Sequence, residues 1–165
     1  MNKIIVLLSM VLLTACSTNT ETSPEKEPSR VEDDQTMTET ALFFQSEEKG
    51  IMIEEANNFS FVAEKSNTVS FQKEDLKAII SVLTPTNDLT NVKQALKDGS
   101  GNITVIEETD GYLAFQSNHA EPIRTEVYLT VTGSHTYVTT FMMKAPEYEQ
   151  YFSDIEHFRD ALTFY

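Results

Sequence analysis

Residues 123–165 read IRTEVYLTVTGSHTYVTTFMMKAPEYEQYFSDIEHFRDALTFY, and two periodicities meet in them. Over 123–132 the side chains alternate. Val127, Leu129 and Val131 fall on one face, and Glu126, Tyr128 and Thr130 on the other. A period of two is the signature of a strand. Gly133-Ser134 supplies a turn, and beyond it Tyr137, Thr139, Phe141 and Met143 alternate with Val138, Thr140 and Met142. The stretch therefore predicts a β-hairpin with apolar residues on both faces, which requires a sheet at least partly covered on both sides. After Pro146, a residue suited to a first helical turn, the period changes. Tyr148, Tyr151, Phe152, Ile155, Phe158 and Leu162 recur at spacings of three and four. That stripe predicts a terminal helix packing Phe152, Ile155 and Phe158 against the sheet.

Working outward from this hairpin and helix, short apolar or alternating runs at 41–45, 51–54, 59–63 and 68–72 read as strands, with Val69 and Phe71 on one face. The run AIISVLT at 78–84 is nearly continuous, which predicts a central strand buried on both faces, stopped by Pro85. Asp88 can cap a helix in which Leu89, Val92 and Leu96 share a side, with Gly99 closing it. Residues 103–107 and 112–116 predict a second hairpin around Asp110-Gly111.

The N-terminal end has a different character. Lys3 precedes an apolar run of ten, IIVLLSMVLL, at positions 4–13. Ten helical residues span about 15 Å, half of a bilayer core, so the run predicts a secretory leader rather than a membrane span. The Leu13-Thr14-Ala15-Cys16 that follows looks like a bacterial lipobox. That resemblance implies cleavage after residue 15 and acylation of Cys16, the only cysteine of the chain. Two or three acyl chains hold a protein on a membrane almost permanently. Residues 17–40 carry seven acidic and two basic side chains with Pro24 and Pro28, and Val31 and Met37 are their only apolar residues of any size. Such a segment cannot bury enough surface to offset its ordering entropy, and it reads as an acidic disordered tether. The division expected is thus a leader at 1–15, a lipidated cysteine and tether at 16–40, and one domain at 41–165.

Within that domain the order of elements resembles the PsbP/DcrB superfamily. The resemblance is carried by the segments 78–84, 89–99, 103–107, 111–116, 123–132, 136–144 and 148–165. It rests most on Tyr137-Val-Thr-Thr-Phe-Met-Met-Lys-Ala-Pro146 followed by the aromatic helix ending Phe158-Arg-Asp-Ala-Leu-Thr-Phe164. It implies an α+β fold: an antiparallel sheet flanked by helices, with a long amphipathic C-terminal helix. It also implies a non-enzymatic domain that assists a membrane-associated assembly, as the plant members do at photosystem II. Bacterial DcrB-like members are envelope lipoproteins, and the same fold includes a nuclear import factor that binds a small GTPase.

The residues themselves offer little chemistry. His119, His135 and His157 fall in a predicted loop, turn and helix, and no pair has metal-ligand spacing. Gly99-Ser100-Gly101 lacks the G-x-S-x-G pattern of a nucleophile elbow and follows a helix, so Ser100 reads as a cap. Glu107 and Glu108 are adjacent in a strand and point to opposite faces, unlike the paired carboxylates of a glycosidase. Glu108-Thr-Asp110-Gly111 offers oxygens for calcium but not the spacing of an EF-hand, and reads as a solvated turn. No phosphate-binding glycine loop is present in the sequence. With 26 acidic against 12 basic residues and a net charge of -14, a phosphate-reading nucleic-acid protein is excluded.

The expectation is therefore a lipoprotein of the bacterial cell envelope. On a cell with two membranes it would sit at the outer one, and otherwise on the outer face of the cell membrane. It would have no catalytic residues, cofactor or metal, and would present a domain that binds an envelope protein. The alternative is a carrier of a small apolar ligand, with a pocket between the sheet and the terminal helix.

Overall fold

The computed structural model describes residues 42–84 and 88–165. The expected leader, Cys16 and the expected tether lie outside the described residues. The strands are β1 (Phe44–Ser46), β2 (Ile51–Ile53), β3 (Ser60–Lys65), β4 (Thr68–Lys73) and β5 (Leu76–Leu83), followed by helix α1 (Leu89–Gly99). Next come β6 (Ile103–Glu108), β7 (Tyr112–Ser117), β8 (Ile123–Thr132) and β9 (His135–Lys144). A 3-10 turn (Ala145–Glu147) leads into α2 (Tyr148–Asp160), and β10 (Leu162–Phe164) ends the described chain.

Seven strands form one antiparallel sheet in the order β3-β4-β5-β9-β8-β7-β6. The hairpins β3-β4, β4-β5, β6-β7 and β8-β9 follow from their turns. At the β8–β9 turn Thr132 pairs with His135, so the loop has two residues, and Gly133 takes the positive φ of 58° that such loops require. His135 is thus the first residue of β9 rather than part of the turn.

The link from β5 through α1 to β6 carries the chain from the third strand to the far edge, and α1 packs on the face between. Val92, Leu113, Phe115, Val127, Leu129 and Val138 form the core there. Asp88 caps α1 by accepting from the Thr90 amide at 2.8 Å, as the sequence predicts. Gly99 proves to be the last helical residue instead of the stop. Ser100 closes the helix, its hydroxyl donating to the Leu96 carbonyl at 2.7 Å, and Gly101 (φ 74°) reverses the chain.

The opposite face holds the larger core: Val69, Phe71, Ala78, Ile80, Tyr137, Phe141 and Met143 of the sheet against Tyr151, Ile155 and Phe158 of α2. A second antiparallel sheet, β1-β2-β10, closes over the same core with Ile51 and Ile53. Strand β5 is central as expected but is not buried on both faces: Leu76, Ala78 and Ile80 are fully buried in the larger core, with Val82 at its margin. Ile79, Ser81 and Leu83, on the α1 side, remain partly open.

The terminal helix is shorter than expected. It stops at Asp160, where the Ala161 amide bonds back to the His157 carbonyl at 3.1 Å. Leu162, placed on the helical stripe by the sequence, instead begins β10 and pairs with Ile53. Pairing there gives the outer edge of β2 a partner, which a further turn of helix could not do. Phe152 is a second correction. It is 46% exposed, whereas Tyr151, one position earlier, is buried. One helical residue turns the chain by about a quarter of a circle, so only one of two adjacent aromatics can face the sheet.

Candidate binding surface beside the terminal helix

The most unusual side chain of the sheet is Glu126, wholly buried in β8 with a charge to satisfy. Taking a carboxylate out of water costs several kcal/mol unless it is paired and hydrogen-bonded. Both requirements are met by neighbours on the same face. Arg124, two residues earlier in the strand, donates from Nε to one carboxylate oxygen, and the Tyr112 hydroxyl donates to the other. Tyr112 reaches it because it pairs with Tyr128 in the register that sets Ala114 beside Glu126.

Aromatic and cationic side chains extend this cluster to the surface. The Arg124 guanidinium lies 4.6 Å from the centre of the Tyr148 ring, and that of Arg159 lies 3.7 Å from the centre of Tyr128. Both distances allow cation–π attraction. Tyr112 and Tyr128 have ring centroids 5.0 Å apart, and Tyr148 meets exposed Phe152 edge-on at 5.9 Å. Arg159 is also ion-paired with Glu156 on its own helix.

The electrostatics keep the phenols protonated. Burial, then the bond to Glu126, raises Tyr112 far above its ordinary value. Tyr128 is pushed up to about 12, chiefly by burial, with Glu126 adding and Arg159 opposing. Burial alone would lower Arg124, but its contact with Glu126 outweighs that and raises it. The cluster therefore holds fixed donors and fixed charge near neutral pH. Its carboxylate already accepts from two partners, and its hydroxyls are not poised to lose protons. At its surface stands a partly exposed Phe152–Tyr148 pair with Arg124 against Tyr148, residue types that dominate hot spots of protein interfaces.

The residues singled out from the sequence do not converge. His119 lies in the exposed loop after β7, His135 at the start of β9 and His157 on the exposed side of α2. His157 Nδ1 is 3.3 Å from the Asn57 amide nitrogen, and that amide also donates to Asp154. Ser100 is engaged as a cap. Glu108 meets Lys97 at 3.0 Å and Lys93 at 3.4 Å, and Lys93 also donates to the Thr109 carbonyl at 2.6 Å. Lys97 first, then Lys93, holds the Glu108 carboxyl below its ordinary range. The oxygens that could have attracted calcium thus already face two ammonium groups. Among the described residues no group of three or more His, Cys, Asp and Glu is arranged to hold a metal.

Between the sheet and the terminal helix, the Phe158 ring sits 5.4 Å from Phe71, 5.6 Å from Phe141 and 4.6 Å from Phe59, so the middle of that interface is packed with rings. At the end of the helix a small cleft of about 210 Å³ opens among Tyr128, Thr130, Thr139, Arg159 and Asp160. The sequence reading put Glu126, Tyr128 and Thr130 on one face but passed over their meaning. The available signal was a carboxylate at a core-facing strand position with an arginine two residues before it, on the same side.

No family model matches the chain, and no curated protein matches it either. Solved structures do. The Ran-binding protein Mog1p of Saccharomyces cerevisiae aligns with a TM-score of 0.51 at 8% identity, over 73% of this chain and 93% of that one. The solution structure of cyanobacterial PsbP (CyanoP) from Synechocystis sp. PCC 6803 aligns with a TM-score of 0.49 at 12% identity, over 79% and 96% respectively. A protein of Bacteroides thetaiotaomicron aligns at 0.48 and 11% identity, over 76% of this chain and 49% of its own, so this chain spans about half of that protein's length. At 8% identity, the likeness to Mog1p is one of fold. At that level the expected arrangement stands: α+β, with antiparallel sheets and two helices.

Proposed function

We propose that the chain is a non-enzymatic lipoprotein of the cell envelope, attached through acylated Cys16, that presents a protein-binding domain at the membrane surface. The lipid would fix depth and residues 17–40 the search radius. Confinement to a surface raises effective concentration toward membrane partners. The observation that supports protein binding is the surface beside α2. There Phe152, 46% exposed, joins Tyr148 and Arg124 next to a carboxylate that pins the arginine in place. An anchored arginine and two adjacent rings lose little side-chain freedom on binding, which favours affinity.

Two measurements test the reading. Cys16→Ser should move the protein from the detergent phase to the aqueous phase, and equal partitioning of the two forms would remove the lipid anchor. Crosslinking in the native membrane should give a defined product that Phe152→Asp loses while its melting temperature holds. An undiminished product with Phe152→Asp would place the binding surface elsewhere.

A further inference from the structure

Helix α1 touches the sheet along a narrow line. Val92 is buried, but Leu89 and Leu96 are only partly covered. Two adjoining clefts of about 440 Å³ each open beside the helix. Both are bounded by Leu96 of α1 and Thr140 of β9, so the two lie side by side along the helix. One runs over Leu83 and Val138, the other over Phe115 and Met142. Each falls within the roughly 300–1,000 Å³ of small-molecule sites.

The lining decides the class of ligand. In a chain with 26 acidic and 12 basic residues, no Asp, Glu, Lys or Arg among the described residues lines either cleft, and His119 is the one ionisable side chain among those that do. The lysines of α1 are committed elsewhere, Lys93 to Thr109 and Glu108, and Lys97 to Glu108. Two of the lining hydroxyls are also engaged. Ser100 donates to the Leu96 carbonyl, and Ser117 accepts from the Ile123 amide at 2.9 Å. A ligand carboxylate or phosphate would find no cation here and would meet the field of a chain carrying a net charge of -14. A hydrocarbon chain carries no such penalty and gains by each methylene it removes from water. Two clefts in line along one helix suit a chain better than a compact ring system.

We propose that the cleft beside α1 binds the hydrocarbon chain of an uncharged single-chain lipid of the monoacylglycerol class. The site lies on the face of the sheet opposite α2 and does not depend on the protein-binding surface there. The test is methyl NMR of the full chain with monolauroylglycerol, kept below its micelle-forming concentration, and with laurate as the anionic counterpart. Saturable shifts are expected at Leu83, Leu96 and Met142, with Ile155 on the other face unmoved. Laurate in its ionised form should bind at least tenfold more weakly. Ala95→Trp and Met142→Trp lie at exposed lining positions, one on helix and one on strand, and each should weaken monolauroylglycerol binding tenfold or more. Absence of saturable shifts, shifts confined to Ile155, or full binding by both tryptophan variants overturns the site. Equal binding of ionised laurate overturns the uncharged class.

Discussion

Tyr137 of β9 lies flat on Phe164 of β10, with ring centroids 4.0 Å apart and planes 17° from parallel. The Tyr137 hydroxyl donates in turn to the Lys49 carbonyl at 3.0 Å, so one side chain joins the two sheets and the last strand. Gly50 stands against this joint with φ +60°, where an added Cβ would lie 2.3 Å from the Tyr165 carbonyl oxygen and 2.8 Å from the Tyr137 hydroxyl. Gly50→Ala should therefore cost at least about 1–3 kcal/mol from backbone strain, with the clash adding to it. Tyr137→Phe, which loses only the hydrogen bond, should cost about 1–2 kcal/mol. Urea unfolding of the two variants checks the order. A Gly50→Ala midpoint no lower than that of Tyr137→Phe would show that the joint accommodates a Cβ at position 50.

The buried carboxylate yields a prediction of sign. Arg124→Leu leaves Glu126 uncompensated and should cost about 3–5 kcal/mol. Adding Glu126→Leu should recover a large part of that loss, because the double variant buries no charge. A double variant less stable than the single one in denaturant titration would mean that Glu126 stabilises the fold even without Arg124, through the bond it accepts from Tyr112.

Two phenylalanines on α2 should behave oppositely. Phe158, with no exposed surface, packs on Phe59, Phe71 and Phe141, and Phe158→Ala should cost about 3–5 kcal/mol. Phe152→Ala should stay within about 1 kcal/mol of the parent, since its ring is already half in water. Calorimetric melting of both variants decides it.

Alkaline stability follows from the raised phenols. Tyr128 titrates near 12 in the fold and near 10 when unfolded, so between those values the folded chain holds a proton that the unfolded chain releases. Stability is full below about pH 10 and is lost at about 1.4 kcal/mol per pH unit for each such group as pH rises through that window. Tyr112 shifts in the same direction. Tyr128→Phe should make the decline shallower. Phenolate absorbance during alkaline unfolding reports it, and an unchanged slope would contradict the burial of this hydroxyl.

The strands of the larger sheet were legible because its hairpins announce themselves locally, but their order across the sheet and the separate sheet of β1, β2 and β10 were not. Gly133-Ser134 and Asp110-Gly111 fix turns, and alternation about Val127 and Phe141 fixes which residues share a face. The helix stripe identified Ile155 and Phe158 correctly. The end of α2 was not legible, since Leu162 continues the helical spacing and only pairing with distant Ile53 makes it a strand. The exposure of Phe152 escaped for a related reason: hydrophobicity marks both Tyr151 and Phe152, and geometry admits one. The cluster about Glu126 depends on cross-strand register and on the approach of α2, neither of which a linear pattern contains.

The pairing of β10 with β2 also imposes an order in time. Ile51, Met52 and Ile53 are made early, yet one of their two strand partners, Leu162–Phe164, emerges on the order of a hundred residues later. Until then the inner face of the small sheet has no lid and Tyr137 has no ring to rest on. The larger sheet can assemble hairpin by hairpin as the chain emerges, whereas the smaller one waits for a segment made after all seven of those strands. A stall or cut between Asp160 and Leu162 would thus leave the larger sheet complete and an unpaired edge at β2, open to proteases and to mispairing.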